Sequence, residues 1–239
     1  MRVRHYDHFY QLTFFPTLFP VNCYLVDEGE TLTLIDAALP FAGKSILRAA
    51  QRVGKPITRI VLTHAHNDHV GALDELTAAL SGVEVAISAR DARLLAGDAS
   101  LEAEEPQAPI RGGIPQHITT RPSRLLGSGD GIGHLTVITA PGHTPGHIAL
   151  LDARSGALFA GDAFQVRGGL AVSGQLKWRF PFPALATWHR EVACRSAKAL
   201  LACRAQYLAV GHGRILIHPE QKMTRAVEQA EAALCKENS

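Results

Sequence analysis

Residues 57–69 read Ile57-Thr58-Arg59-Ile60-Val61-Leu62-Thr63-His64-Ala65-His66-Asn67-Asp68-His69, an apolar run that stops at a dense cluster of polar groups. The run Ile57–Thr63 has the composition of a buried strand. The four side chains His64, His66, Asp68 and His69 then fall within six positions. Imidazole nitrogen and carboxylate oxygen are the ligands that borderline divalent metals take. In an extended segment His64 and His66 point to the same side, so both reach one ion. A turn into helix at Asp68–Val70 swings the next two ligands toward a neighbouring point. One short corner therefore serves two ions.

The remainder of the chain supplies ligands in a repeated format. Leu135–Ala140 alternates and ends in Pro141-Gly142-His143-Thr144-Pro145-Gly146-His147; Ala157–Ala160 ends in Gly161-Asp162; Tyr207–Val210 ends in Gly211-His212-Gly213. Each short strand-like run stops at a glycine-flanked His or Asp, where glycine permits the sharp turn that aims a side chain into a shared cleft. Groups at the ends of several strands are how a rigid scaffold builds a site.

With His143, Asp162 and His212 following His64-Ala65-His66-Asn67-Asp68-His69 in that order, the chain resembles the metallo-β-lactamase superfamily of hydrolases from about Asn22 to Gly213. The resemblance implies an α+β fold, a four-layer αββα sandwich with metals at one edge, here as one domain over 1–239. It implies His64, His66 and His143 on a first metal and Asp68, His69 and His212 on a second. Asp162 would bridge the two together with a water or hydroxide, and Asp68 or Asp162 would move a proton to the leaving group. Leu34-Ile35-Asp36 matches a family strand end whose Asp orients the ligand imidazoles. The implied cofactor is a pair of divalent ions, zinc first, with iron, manganese or cobalt also admitted by the donor set.

Departures from particular branches narrow the activity. Class B β-lactamases lack the bridging Asp, which is present here as Asp162. Flavin-linked diiron reductases carry Glu at the position of His66. RNA-processing members need a large insertion that is not visible. Glyoxalase-II-type thioesterases append a helical domain, whereas Arg214–Ser239 leaves room for one helix. Acyl-homoserine lactonases carry Tyr three residues beyond the bridging Asp, where this chain has Gln165. The expected activity is hydrolysis of an ester or lactone by a binuclear metallo-hydrolase. The alternatives are a thioester hydrolase of glyoxalase II type and a mononuclear-iron persulfide dioxygenase.

At 239 residues and 46% hydrophobic, the chain supports one substantial core. A formal net charge of +2 argues against nucleic acid or a membrane surface as partner. A small-molecule substrate is expected, and a homo-oligomer stays open. Cys23, Cys194, Cys203 and Cys235 show no CxxC spacing. Cys194 and Cys203, nine apart on a helix, would lie about 13 Å apart along its axis, so reduced thiols and a cytoplasmic location are expected. The segment Leu12–Leu25 is broken by Pro16, Pro20 and Asn22 and reads as no export signal.

Periodicity predicts strands at Val21–Val26, Thr31–Ile35, Val83–Ile87, Leu135–Thr139, Ile148–Leu151 and Ala157–Ala160. It predicts helices at Ala42–Val53, Val70–Leu80, Ala89–Ala96, Pro183–Ala202 and Pro219–Lys236. The proline-punctuated stretch Asp98–Ser123 reads as a long surface loop. Two aromatic segments are candidate pocket walls, represented by Phe15 and Phe19 in one and Phe164, Trp178 and Phe180 in the other. The competing reading of these aromatics is core or subunit contact. His147 is read either as a support of the site or as packing beside it.

Overall fold

The computed structural model of the protein describes residues 1–237. Its first sheet takes seven strands in chain order: β1 (Arg2–Tyr6), β2 (Phe9–Phe14), β3 (Val21–Asp27), β4 (Leu32–Ile35), β5 (Ile57–Val61), β6 (Glu84–Ser88) and β7 (Arg124–Leu126). β1 to β4 pair antiparallel and β4 to β7 parallel. The second sheet contains β8 (Gly131–Ile132), β9 (Leu135–Thr139), β10 (Ile148–Asp152), β11 (Ala157–Phe159), β14 (Tyr207–Ala209) and β15 (Leu216–Ile217). A separate two-stranded ribbon joins β12 (Phe164–Gln165) to β13 (Ala171–Val172).

The alternation of β3 explains the layering. Successive strand side chains point to opposite faces. Cys23 and Leu25 accordingly pack with Ile46, Ala50, Leu73, Leu76 and Leu94 from the helices α1 (Gly43–Val53), α3 (Leu73–Ala79) and α4 (Ala89–Leu95). Tyr24 and Val26 face the other way, against Val137, Leu150 and Phe159 of the second sheet. The outer face of that sheet is covered by α6 (Arg190–Leu200) and α7 (Glu220–Glu237) through Ala197, Leu200, Met223 and Val227. Two more short helices, α2 (Asn67–Val70) and α5 (Phe182–Leu185), lie beside the ligand corner and its rim. The αββα sandwich is therefore present. Between the sheets Phe9 and Phe159 meet edge to face at 5.1 Å, and both are essentially unexposed. Burial of each such ring contributes about 1.5–3 kcal/mol.

Strand direction fixes where the strand ends emerge. β9 and β11 each pair antiparallel with β10, and β11 pairs parallel with β14, so β9, β11 and β14 run the same way. Their C-terminal ends, which lead to His143, Asp162 and His212, therefore leave one edge of the second sheet. The parallel pair β4 and β5 likewise delivers Asp36 and His64 to one edge of the first.

Two expectations from the sequence need correction, and one element was not predicted at all: Arg2–Phe14 forms the β1–β2 hairpin. β1 is an exposed edge strand carrying Arg2, Arg4 and His5, so it lacks an apolar stripe to announce it. The helix expected over Val70–Leu80 is two helices, α2 and α3, because Gly71 N–H leaves the helical ladder and donates to Ala38 O at 2.8 Å. The helix expected over Pro183–Ala202 is interrupted at 186–189. There Trp188 N–H donates to His143 O and His189 N–H to Gly142 O, at 3.0 and 2.9 Å. That interruption ties the chain to the His143 turn, and the His189 side chain then caps α6 at Val192 N–H. No described helix is long and apolar enough to cross a membrane.

Candidate metal centre

The structure brings His64, His66, Asp68, His69, His143, Asp162 and His212 together. Three groups of side chains have ligand atoms mutually within 4.8 Å: His64 with His66 and His143; His64 with His69 and Asp162; Asp68 with His69 and His212. Asp162 stands between them. Its Oδ2 is 3.1 Å from His212 Nε2 and 3.4 Å from His143 Nε2, and its Oδ1 is 3.5 Å from His69 Nε2.

Each of the five imidazoles has one ring nitrogen bonded outward, and the acceptors force its tautomer. His66 Nε2 donates to Arg111 O at 2.9 Å, His212 Nδ1 to Pro20 O at 2.8 Å, and His69 Nδ1 to Asp36 Oδ2 at 2.8 Å. Thr63 Oγ1 gives its own proton to the Asp36 carboxylate, so it accepts from His64 Nδ1 at 3.0 Å. A similar relay fixes His143. Thr187 O–H donates to Pro183 O at 2.7 Å, Ser173 donates to Thr187 at 2.8 Å, and His143 Nδ1 therefore donates to Ser173 at 2.9 Å.

The remaining nitrogens point inward: on His64, His66 and His143 as lone pairs, and on His69 and His212 carrying, in the metal-free chain, a proton that a cation would displace. His66 Nδ1 and His143 Nε2 then face each other at 3.0 Å with no proton between them, an arrangement that a shared cation stabilises. His64 Nε2, His69 Nε2 and Asp162 Oδ1 are buried with no hydrogen-bond partner. Buried polar atoms without a partner are costly, commonly about 1–3 kcal/mol each. This donor set of imidazoles and carboxylates therefore fits one or two divalent cations.

The electrostatics fall into two camps. Burial holds His64 and His143 well below the ordinary imidazole range, reinforced by neighbouring histidines. Burial also opposes a charge on His69, but Asp162, Asp36 and Asp68 outweigh it and push the group up to about 9. His212 is raised for the same reason, with Asp162 and Asp68 overcoming burial. In return the charges of His212 and His69 hold Asp162 well below the carboxylate range against its burial.

The supports are precise in their placement. Asp36, at φ +62°, accepts from Thr63 N–H at 2.7 Å as well as from His69. His147 Nε2 accepts the amide of Asp162 at 3.0 Å, so it fixes the backbone of that carboxylate. Asp91 is fully buried and accepts from Ala65 N–H, Thr144 O–H and Gly146 N–H at 3.0, 2.7 and 2.8 Å. It thereby joins the His64–His66 corner to the His143 turn. Gly211 is required by space, since a Cβ there would lie 2.0 Å from Asp162 Oδ1 and 2.6 Å from His69 Cε1.

Asp91, Ser173, Thr187 and the carbonyls of Arg111 and Pro20 were not singled out from the sequence. The only sequence signal among them is Ser88 three residues before Asp91, the pattern of a capped helix start, and Ser88 Oγ does accept Asp91 N–H at 3.1 Å.

A cleft of about 500 Å³ opens onto the centre, lined on the metal side by His66, Asp68, His143, Asp162 and His212. Phe19, Leu39, Pro40, Phe182 and Leu185 form its apolar wall. Of the five aromatics expected there, Phe19 lines the cleft. Phe180 lies behind it, buried against Phe19 and His212 with centroids at 5.1 and 5.4 Å. The other three do not reach it. Phe164 is a core residue under the second sheet, Trp178 is 89% exposed, and Phe15 sits outside against Phe41. The sequence placed aromatics in the right segments, but not which of them turned inward.

A family model described as the metallo-beta-lactamase superfamily matches residues 16–212. The chain is 56% identical over 230 residues to "Uncharacterized protein YobT" of Bacillus subtilis (strain 168), covering 96% of this chain and 99% of that one. It is 30% identical over 207 residues to "Probable metallo-hydrolase YflN" of the same organism, covering 79% and 78%. Among solved structures, TTHA1623 in a di-iron-bound form superposes with a TM-score of 0.64 at 28% identity, covering 89% of this chain and 96% of that chain. The strand-end ligand sets, the αββα layers and these matches agree: the chain belongs to the metallo-β-lactamase superfamily.

Proposed function

We propose that the protein is a binuclear metallo-hydrolase that cleaves an ester or lactone bearing an apolar acyl group. The observation that carries this reading is the set of five imidazoles, each with one ring nitrogen hydrogen-bonded outward and the other turned in around Asp162. In this reading His64, His66 and His143 hold one cation, Asp68, His69 and His212 the other, and Asp162 lies between them. When bound, paired divalent cations lower the pKa of a water held between them and stabilise the oxyanion of an acyl group under attack. Zinc is the first candidate. The di-iron form of TTHA1623 keeps iron as an alternative for this donor set.

The chain's own groups do the rest. Asp36, Thr63, Ser173 and the carbonyls of Arg111 and Pro20 hold the imidazoles in the one tautomer that can ligate. Asp68 is the carboxylate of the centre that keeps part of its side chain exposed, 27% against 3% for Asp162. His69 and His212 keep it ionised, so it is placed to take the proton that the attacking water gives up and to pass that proton to a departing alkoxide. Phe19, Leu39, Phe182 and Leu185 exclude water from the acyl side of the cleft. Among the described residues no Lys or Arg lines the cleft, which favours an uncharged acyl substrate over a phosphodiester.

The test is metal content per chain together with a panel of lactones, esters, thioesters and phosphodiesters. Two metal ions per chain and turnover of lactones or esters are expected. His66→Ala should abolish that turnover and lower bound metal. One iron per chain with oxygen consumption would replace this reading by that of an iron dioxygenase.

A further inference from the structure

On the other side of the His212 turn, the β1–β2 hairpin closes over a second cavity, of about 250 Å³, which shares no lining residue with the apolar cleft. Arg2, Arg4, Arg167 and Arg214 line it, and among the described residues no Asp or Glu does. Three separate segments bring these four guanidinium groups together. Arg2 and Arg4 are alternate residues of β1, opposite Thr13 and Gln11, so they project from the same face. Arg167 is delivered by the turn after Asp162, whose Val166 and Arg167 amides both donate to His212 O at 3.0 Å. Arg214 follows two residues later on the same turn as His212.

Buried polar side chains face the cavity as well. Gln11 is 2% and Thr13 7% exposed, and Gln11 Nε2 donates to Gly213 O at 3.1 Å.

Some arginines elsewhere in the protein are paired with carboxylates. Arg90, Arg154 and Arg190 pair with Glu105, Asp152 and Glu237 at 2.6, 2.9 and 2.7 Å. Among the described residues no ion pair engages Arg2, Arg4 or Arg214, and Arg167 donates to the carbonyl of Thr17. Like charges gathered around one cavity repel, and an anion between them reverses the sign of each interaction. The planar guanidinium fork matches phosphate oxygens two at a time.

We propose that this cavity binds a small phosphate-bearing anion, a phosphomonoester or diphosphate group, at a site separate from the metal centre. A cavity of this volume admits such a head group and not the length of a polymer. Pro20 and Gly213 both line it, so the bound group lies against the turn whose Pro20 carbonyl holds His212.

The test is calorimetric titration of the metal-loaded full chain with inorganic phosphate and with pyrophosphate at low salt. Saturable binding is expected, weakened about tenfold or more by Arg4→Gln/Arg214→Gln, and by Arg167→Gln as an independent variant, with metal content unchanged. Lys44→Gln/Arg48→Gln removes the same charge from the exposed face of α1 and should leave binding intact. The proposal fails if the wild type shows no binding. It also fails if binding persists undiminished in the arginine variants, which would place the anion at the metal centre. Equal weakening by the α1 control would reduce the effect to net charge and overturn it too.

Discussion

Asp91 shows how much one buried side chain can hold in place. An ionised carboxylate is an acceptor only, and here both oxygens are in use: Oδ1 by Gly146 N–H, Oδ2 by Ala65 N–H and Thr144 O–H. Burial pushes its pKa up to about 6, against the hydrogen bonds from Thr144, Gly146 and Ala65 that favour the charged form. Asp91→Asn turns one oxygen into a donor, so at least one of these three donors loses its acceptor. The expected cost is about 1–3 kcal/mol of stability, read from denaturant unfolding, together with weaker metal retention, because the His64–His66 corner and the His143 turn are no longer tied. Unchanged stability and metal content would show that the tie is dispensable. None of this could be read from the sequence. The seven candidate ligands were legible because four crowd into six positions after one strand-like run, and His143, Asp162 and His212 each end another run beside a glycine. Their outward partners were not, because a backbone carbonyl has no residue signature and lies far along the chain: Arg111 is 45 residues from His66, and Pro20 192 from His212.

At the scale of the element, the long irregular stretch expected over Asp98–Ser123 is a strap over the metal cleft. Its anchors are Arg90 with Glu105, the Asp74 side chain accepting from Thr119 and Thr120, and Trp188 Nε1 donating to Ala108 O at 2.9 Å. At its innermost point Arg111 O receives His66, and Gly112 turns with φ +94°. A Cβ on Gly112 would sit 2.4 Å from His66 Nε2, in a backbone region that L side chains rarely adopt. Gly112→Ala is therefore expected to push the His66 ring off Arg111 O. Loss of such an outer partner typically weakens metal affinity about 10–100-fold, which competition with a chelator would measure; wild-type affinity would contradict the role given to the strap. Periodicity identified this stretch as irregular but not that it folds back over the site, since that depends on side chains of α3, α4 and the interruption before α6. The same interruption misled the reading of Pro183–Ala202 as one helix. Helical spacing is satisfied on both sides of residues 186–189, and only the pairing with Gly142 and His143 breaks it.

For the whole molecule, the two camps of titrating groups predict a stability profile for the metal-free chain. His64, His66, His143 and His147 are held below 6.5 chiefly by burial, His147 down to about 3. Below pH 6.5 the unfolded chain therefore binds more protons than the folded one, and stability falls as the pH drops. His69 and His212 are raised, so the stability they confer is complete below pH 6.5 and is lost as the pH climbs above it, for His69 through about 9. Asp91, raised to about 6, works against the acid-side trend between 3.8 and 6, one group against four. Chelator-stripped protein should thus be most stable near pH 6.5 and lose stability on both sides, as thermal unfolding between about pH 5 and 9 would show. A monotonic rise through that range would contradict the assignment of His69 and His212. The αββα layering at this scale was legible from the alternation of strands such as β3, whereas the β1–β2 hairpin was not, because its outer strand is charged and exposed.

The backbone passes from the first sheet to the second a single time, between β7 and β8. His64, His66, Asp68 and His69 come before that crossing, and His143, Asp162 and His212 after it. A nick at residues 127–130 would leave two fragments, each owning an incomplete half of the candidate ligand set. Recovery of a complete shell from the two pieces would then report their reunion, making the crossover a natural seam for a complementation pair.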